Sequence, residues 1–92
     1  LRPFMLKHIQ LKKPDIIVAL GGVSAKALLD TDLGILKLRG RFQEKQFGLE
    51  QPIRILPTLH PAYLLRAPAQ KKLAFQDLVL LKRAITNGMV TY

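Results

Sequence analysis

The sequence predicts an α/β protein, about half of a three-layer α/β/α sandwich with a mainly parallel sheet. Two observations predict this class. The run from Asp15 to Leu20 is apolar without alternation, which is typical of a strand covered on both faces. Helical and extended patterns also alternate, in the order helix, strand, helix, two extended pieces, helix. A strand this apolar needs neighbours on both sides, and the chain has too few other extended pieces to supply them. We therefore expect the 92 residues to be one truncated domain.

The first two helices are predicted from spacing and from breaking residues. Leu1 to Lys13 carries apolar residues at roughly helical spacing, and Pro14 ends the pattern. After the strand, Gly21-Gly22 predicts a tight turn. Val23 to Leu29 then predicts a second helix, with Ser24 in the capping position.

The second half of the chain predicts two extended pieces and a long helix. Leu36 to Phe42 and Ile53 to Leu59 are the extended pieces, on either side of a polar loop over Gln43 to Gln51. The longest helix is predicted to begin at Pro68 and to end at Asn87-Gly88. Its apolar stripe consists of Ala74, Leu78, Leu81 and Ile85.

The composition indicates a polyanionic partner. Fifteen Lys and Arg against six Asp and Glu give a formal charge of +9 and a pI near 10.4. Such an excess favours nucleic acid, although a lysine-rich solvated surface is the alternative. The absence of cysteine excludes disulfides, thiolate zinc sites and cysteine nucleophiles within these residues. We expect no metal site, since the two histidines have no nearby acidic cluster.

No apolar run approaches the ~20 residues that a membrane span needs. No signal peptide is visible either. We therefore expect a soluble protein in the cytoplasm with no membrane partner. Separately, we expect a monomer.

The most informative segment runs from His60 to Pro68 and follows an apolar, strand-like run. A histidine fixed ahead of a proline can aim a ring nitrogen at a ligand, and Leu64-Leu65 can enter a base stack with Arg66 beside them. This arrangement predicts a loop that handles an extruded nucleobase. The alternative is a loop histidine that bonds the backbone, with the leucines buried and Tyr63 packed on the sheet.

The segment Gly21-Gly22-Val23-Ser24 is a candidate phosphate contact. Glycines allow close approach of a phosphate, and free N–H groups at a helix start attract anions. The segment matches neither GxGxxG nor GxxxxGK[ST], so a nucleotide site is weakly supported. A structural turn with Ser24 as N-cap explains it equally well.

These motifs resemble the uracil-DNA glycosylase superfamily, and within it the family-4 type. The resemblance rests on Pro14 to Gly22 with Ser24 to Leu29, and on Pro57 to Arg66 with Pro68. It covers roughly residues 1–86, in the right order and spacing. It corresponds only to the carboxyl-terminal part of such an enzyme.

The resemblance implies hydrolysis of the N-glycosidic bond of deoxyuridine in DNA after base flipping, the first step of base excision repair. His60 is then the catalytic residue, which hydrogen-bonds uracil O2 and stabilises its developing charge. Leu64, four residues after the histidine, matches the position that wedges into the vacated stack. The partner is uracil-containing DNA. The residues implied to contact DNA are Gly21, Gly22, Ser24, Pro61, Tyr63, Leu64, Leu65 and Arg66.

The sequence also departs from the family. The GE-x-PG stretch that positions water, and the phenylalanine and asparagine that hold uracil, are missing. The family holds a [4Fe–4S] cluster, and its last cysteine falls where Leu1 stands, so we expect no cofactor in this chain. We expect the chain alone to be inactive. The alternatives are a catalytically dead DNA-binding remnant and part of a phage-type DNA polymerase-like protein, although no polymerase carboxylate motif is present.

Overall fold

Helices and strands follow one another closely in the computed structural model, which describes residues 3–84 and 89–92. The predicted α/β class is confirmed. The elements are α1 (Pro3–Lys12), β1 (Ile16–Leu20), α2 (Gly21–Leu29), α3 (Ile35–Leu38), β2 (Gln43–Lys45), β3 (Ile53–Thr58), α4 (Pro61–Arg66), a single 3-10 turn (Pro68–Gln70), α5 (Lys71–Ala84) and β4 (Met89–Thr91).

The strands form one mixed sheet in the order β2-β3-β1-β4. Strand β1 pairs in parallel with β3 and with β4, whereas β2 pairs antiparallel with β3. The β1–β3 register sets Ile16 opposite Arg54 and Leu20 opposite Thr58. Because parallel strands end at the same edge of a sheet, the residues that follow Leu20 and Thr58 emerge side by side.

The core lies on both faces of the sheet. On one face, Ile17 and Ile55 pack with residues of α1, α2 and α3. On the other, Val18 and Leu56 pack with Leu81 of α5. Each fully buried side chain of this size stabilises the fold by about 1.5–3 kcal/mol. Helical cover on both faces explains why β1 shows no polar alternation.

The prediction of an extended piece over Leu36 to Phe42 is wrong. Ile35–Leu38 form a single helical turn, α3, and Leu38 is buried against the core. Extended pairing begins only at Gln43–Lys45, inside the predicted polar loop. A short apolar run fits a buried helical turn as well as a strand, and its periodicity does not separate the two.

The carboxyl-terminal region differs from the prediction in two ways. The long helix begins as a 3-10 turn at Pro68 and continues as α5 from Lys71. Strand β4 was not predicted. It extends the sheet through backbone bonds, since Leu20 N donates to Tyr92 O at 2.7 Å and Tyr92 N donates to Val18 O at 2.8 Å. The predictions at Leu1, Ile85 and Asn87-Gly88 fall outside the described residues.

Across residues 3–84 and 89–92, none of the helices combines the length and the apolar character that crossing a bilayer requires.

Candidate functional site

Two segments that the sequence singled out separately meet at the carboxyl edge of the sheet. Gly21 follows β1 directly, and His60 follows β3 after one buried residue, Leu59. A Cβ placed on Gly21 would lie 3.2 Å from His60 Cβ. The glycine turn and the histidine segment therefore form one site.

The start of α2 differs from the prediction. Gly21 and Gly22 are the first two residues of α2, not a separate turn, and the N-cap is Leu20, with no side-chain capping bond. The prediction of Ser24 as N-cap is therefore wrong, since Ser24 lies within the helix. Gly21 takes φ +83°, a conformation that glycine adopts readily, so the chain passes directly from β1 into α2. The first N–H groups of α2 lack a side-chain cap and are suited to an anion.

The opposite end of α2 is neutralised by a lysine. Lys45 Nζ donates to Leu28 O at 2.7 Å and to Asp30 Oδ2 at 2.5 Å. Asp30 is the C-cap, in the left-handed conformation at φ 51°. This contact lowers the pKa of Asp30, mainly through the hydrogen bond and then through the charge of Lys45. The two ends of α2 thus differ in how far their partial charges are compensated.

His60 is an exposed N-cap with a defined tautomer. The predicted loop is instead a short helix, α4, which begins at Pro61 because proline suits the first helical position. His60 Nδ1 accepts a hydrogen bond from Ala62 N at 3.0 Å. A nitrogen that accepts from an N–H carries no proton, so the proton of the neutral ring lies on Nε2. The ring thus presents an N–H donor away from α4.

The two leucines of α4 have different environments. Leu65 is 83% exposed, and the neighbouring Arg66 is exposed as well. Leu64 is half-buried, as is Tyr63. Leu64 lines a mostly apolar cavity of about 160 Å³ between the ends of β1 and β3 and the helices α4 and α5. The apolar tip at this edge is therefore Leu65.

A buried ion pair lies beneath this edge and was not predicted as a site. Asp77 of α5 is 1% exposed. It accepts from Arg39 Nη2 at 2.6 Å, from Arg39 Nε at 3.1 Å and from Thr58 Oγ1 at 2.5 Å. The hydrogen bond to Asp77 raises the pKa of Arg39, so this cation stays charged. The nearby Arg41, in contrast, is exposed.

Comparison with known families identifies the fold. A model of the uracil DNA glycosylase superfamily matches residues 2–82. The chain belongs to this superfamily. It is 38% identical over 64 residues to the type-4 uracil-DNA glycosylase of Thermotoga maritima, which confirms the family-4 resemblance. That match covers 68% of this chain and 31% of the relative, so the chain spans about a third of the length of this curated relative.

The residues of this member of the superfamily do not fit an iron–sulfur cluster. The sequence has no cysteine, and the position implied for the last cluster ligand, Leu1, lies outside the described residues. Within residues 3–84 and 89–92, no three His, Asp or Glu side chains are grouped so that they could hold a metal. No chemical step at this site is therefore assigned to a cluster.

The two glycines at the start of α2 are expected to respond differently to alanine. Gly21→Ala should destabilise the chain by about 1–2 kcal/mol, because a side chain at positive φ is strained, and the new methyl should displace His60. Gly22→Ala is the matched control, since nothing lies within 4 Å of its Cβ position. Urea unfolding and the NMR signals of the His60 ring measure both effects. Equal stability and unchanged ring signals in the two variants would contradict this prediction.

Proposed function

We propose that this chain forms the DNA-gripping and leaving-group-stabilising part of a uracil-DNA glycosylase. The enzyme flips deoxyuridine out of DNA and hydrolyses its N-glycosidic bond, which leaves an abasic site. The observation that carries the proposal is the exposed His60, whose Cβ lies 3.2 Å from the Cβ position of Gly21 at the uncapped start of α2 and whose neutral ring carries its proton on Nε2. Membership of the superfamily supports the substrate class.

The proposed chemistry is electrostatic. As the glycosidic bond breaks, the sugar gains positive charge and the departing uracil gains negative charge. His60 Nε2–H donates to uracil O2 and stabilises this anion. A preorganised donor of this kind contributes about 10²–10³ in rate. The free N–H groups of Gly21 and Gly22 bind a phosphate of the same strand, and this contact holds the flipped nucleotide against the histidine.

We propose a three-layer α/β/α sandwich with a mainly parallel sheet as the architecture of the enzyme to which these residues contribute. Helices α1, α2 and α3 on one face of the sheet and α5 on the other support it. The parallel pairing of β1 with β3 and β4 supports the strand direction.

We propose that the chain alone binds DNA without releasing uracil. Hydrolysis needs a carboxylate that positions water, and Asp15, Glu50 and Asp77 are not available for this role. Asp15 and Glu50 line a cavity with Pro14 and Ile53, at the amino ends of the central strands. Asp77 is buried and already paired. This placement equally favours the second candidate function, a DNA-binding module without catalysis.

Binding of the chain to DNA is expected to be strongly salt-dependent, because cations that contact phosphates release counterions. Titration of a uracil-containing duplex by fluorescence anisotropy at several salt concentrations gives the slope of log K against log[salt]. Arg66→Ala should lower this slope by about 1. Lys12→Ala is the control, since this exposed cation ends α1 near the opposite edge of the sheet.

The same samples should show no uracil release above the protein-free control. An affinity that is constant across salt would contradict the DNA interface, and measurable release would contradict the inactivity.

The wedge is expected to depend on Leu65 as well as on Leu64. The resemblance assigns the wedge to Leu64, whereas exposure makes Leu65 the tip that can enter a base stack. Leu65→Ala should weaken binding to duplex DNA several-fold and leave single-stranded binding nearly unchanged, at little cost in stability. Leu64→Ala removes a half-buried side chain and should also lower the melting temperature. Equal losses on both kinds of DNA for both variants would exclude a wedge at either leucine.

A further inference from the structure

The carboxylate of Asp77 connects three parts of the fold beneath the site. It lies on α5, and it holds Arg39, which follows α3, with two hydrogen bonds. It also accepts from the hydroxyl of Thr58, the last residue of β3, at 2.5 Å. Every side-chain N or O that is buried among the described residues has a partner. A buried ion pair is costly to desolvate and adds little net stability, so its geometry is its main contribution.

Thr58 is coupled to both halves of the site. In the sheet it lies opposite Leu20, the residue before Gly21. Along the chain, only the buried Leu59 separates it from His60. The end of β3 is therefore fixed on one side by strand pairing and on the other by Asp77. A shift of Thr58 would move His60 relative to Gly21, against which it already packs closely.

We infer that Asp77 is a positioning residue for His60 and that it acts through the hydroxyl of Thr58. Arg39 holds the carboxylate in place, Asp77 holds Thr58, and Thr58 sets the point from which His60 starts α4. This geometry keeps Nδ1 within reach of Ala62 N and aims the Nε2 proton outward. The functional meaning rests on the proposed glycosylase role, whereas the coupling itself is a property of the folded chain.

The test uses the whole 92-residue chain and NMR, without DNA. Thr58→Val keeps the shape of the side chain and removes the hydroxyl, while the Arg39–Asp77 pair stays intact. We expect amide exchange of Ala62 to rise about tenfold, the change that corresponds to loss of one hydrogen bond. The ¹⁵N shifts of the His60 ring should move toward a mixture of tautomers. Thr58→Ser restores the hydroxyl and should return both signals to the wild-type values.

Two controls make the result decisive. Lys45→Met breaks the ion pair at the far end of α2 and should lower stability while leaving the His60 signals unchanged. Thr58→Ala repeats the loss of the hydroxyl in case the valine variant does not fold. Wild-type His60 signals in a folded Thr58→Val chain would overturn the inference. So would a serine variant as disturbed as the valine one, or unfolding of both the valine and alanine variants. Failure of the chain to bind DNA would refute only the glycosylase role.

Discussion

Replacing His60 by alanine is expected to lower uracil release by about 10²–10³-fold with little change in DNA affinity, since in the proposed role its donor acts on charge that develops only as the bond breaks. The assay needs a catalytically complete enzyme. A chimera in which this chain replaces the matching segment of the Thermotoga maritima type-4 enzyme provides one. Single-turnover rates on a uracil-containing duplex separate the chemical step from binding.

The control for this prediction is His8→Ala, which removes the other histidine of the chain. His8 lies on α1, where its ring contacts Tyr92, and it has no part in the proposed site. Its removal should leave the single-turnover rate within a few-fold of the parent chimera. If His60→Ala weakened binding as much as it slowed release, His60 would be a general DNA contact and not a stabiliser of the leaving group.

Replacing Asp77 by asparagine is expected to lower the free energy of unfolding by about 3 kcal/mol, which is typical of breaking a buried ion pair from one side. The reason is that Arg39 loses its charged partner. The Arg39 side chain is only 15% exposed, and the neutral amide cannot compensate its charge. The asparagine side chain also replaces one of the two carboxylate oxygens by an NH2 donor, which faces either Arg39 or Thr58. Urea unfolding followed by circular dichroism measures the loss.

Asp30→Asn provides the matched comparison. Asp30 also bonds a cation, Lys45, but its side chain is 69% exposed, so water screens the pair. Asparagine tolerates the left-handed backbone at this position, which keeps the comparison free of strain. The loss should be much smaller than for Asp77→Asn. Similar losses in the two variants would show that burial does not determine the strength of these pairs.

The parts of the fold that the sequence predicted are those with strong local signals. Strand β1 was predicted from an unbroken apolar run, and α1 and α5 were predicted from periodicity. Local signals failed where they were short. The three-residue strand β4 and the single turn α3 are too brief for a period to show, and their conformation is decided by pairing and burial.

The site was predicted as separate pieces. His60 and Gly21 were each identified from local chemistry, but their contact depends on the parallel register of β1 and β3. The role of Asp77 was not predicted, because its partners Arg39 and Thr58 are distant in the chain. One signal was available. Asp77 lies four residues before Leu81 within the apolar stripe of α5, and an acidic residue on a core-facing stripe indicates a buried partner.

The two ends of α2 differ in how far side chains compensate their partial charges. A polyanion that approaches the carboxyl edge of the sheet meets bare N–H dipoles at Gly21, whereas at the far end the carbonyl of Leu28 is already occupied by Lys45. An anionic group is therefore attracted to the end of α2 beside the imidazole, where the partial charge of the helix is uncompensated.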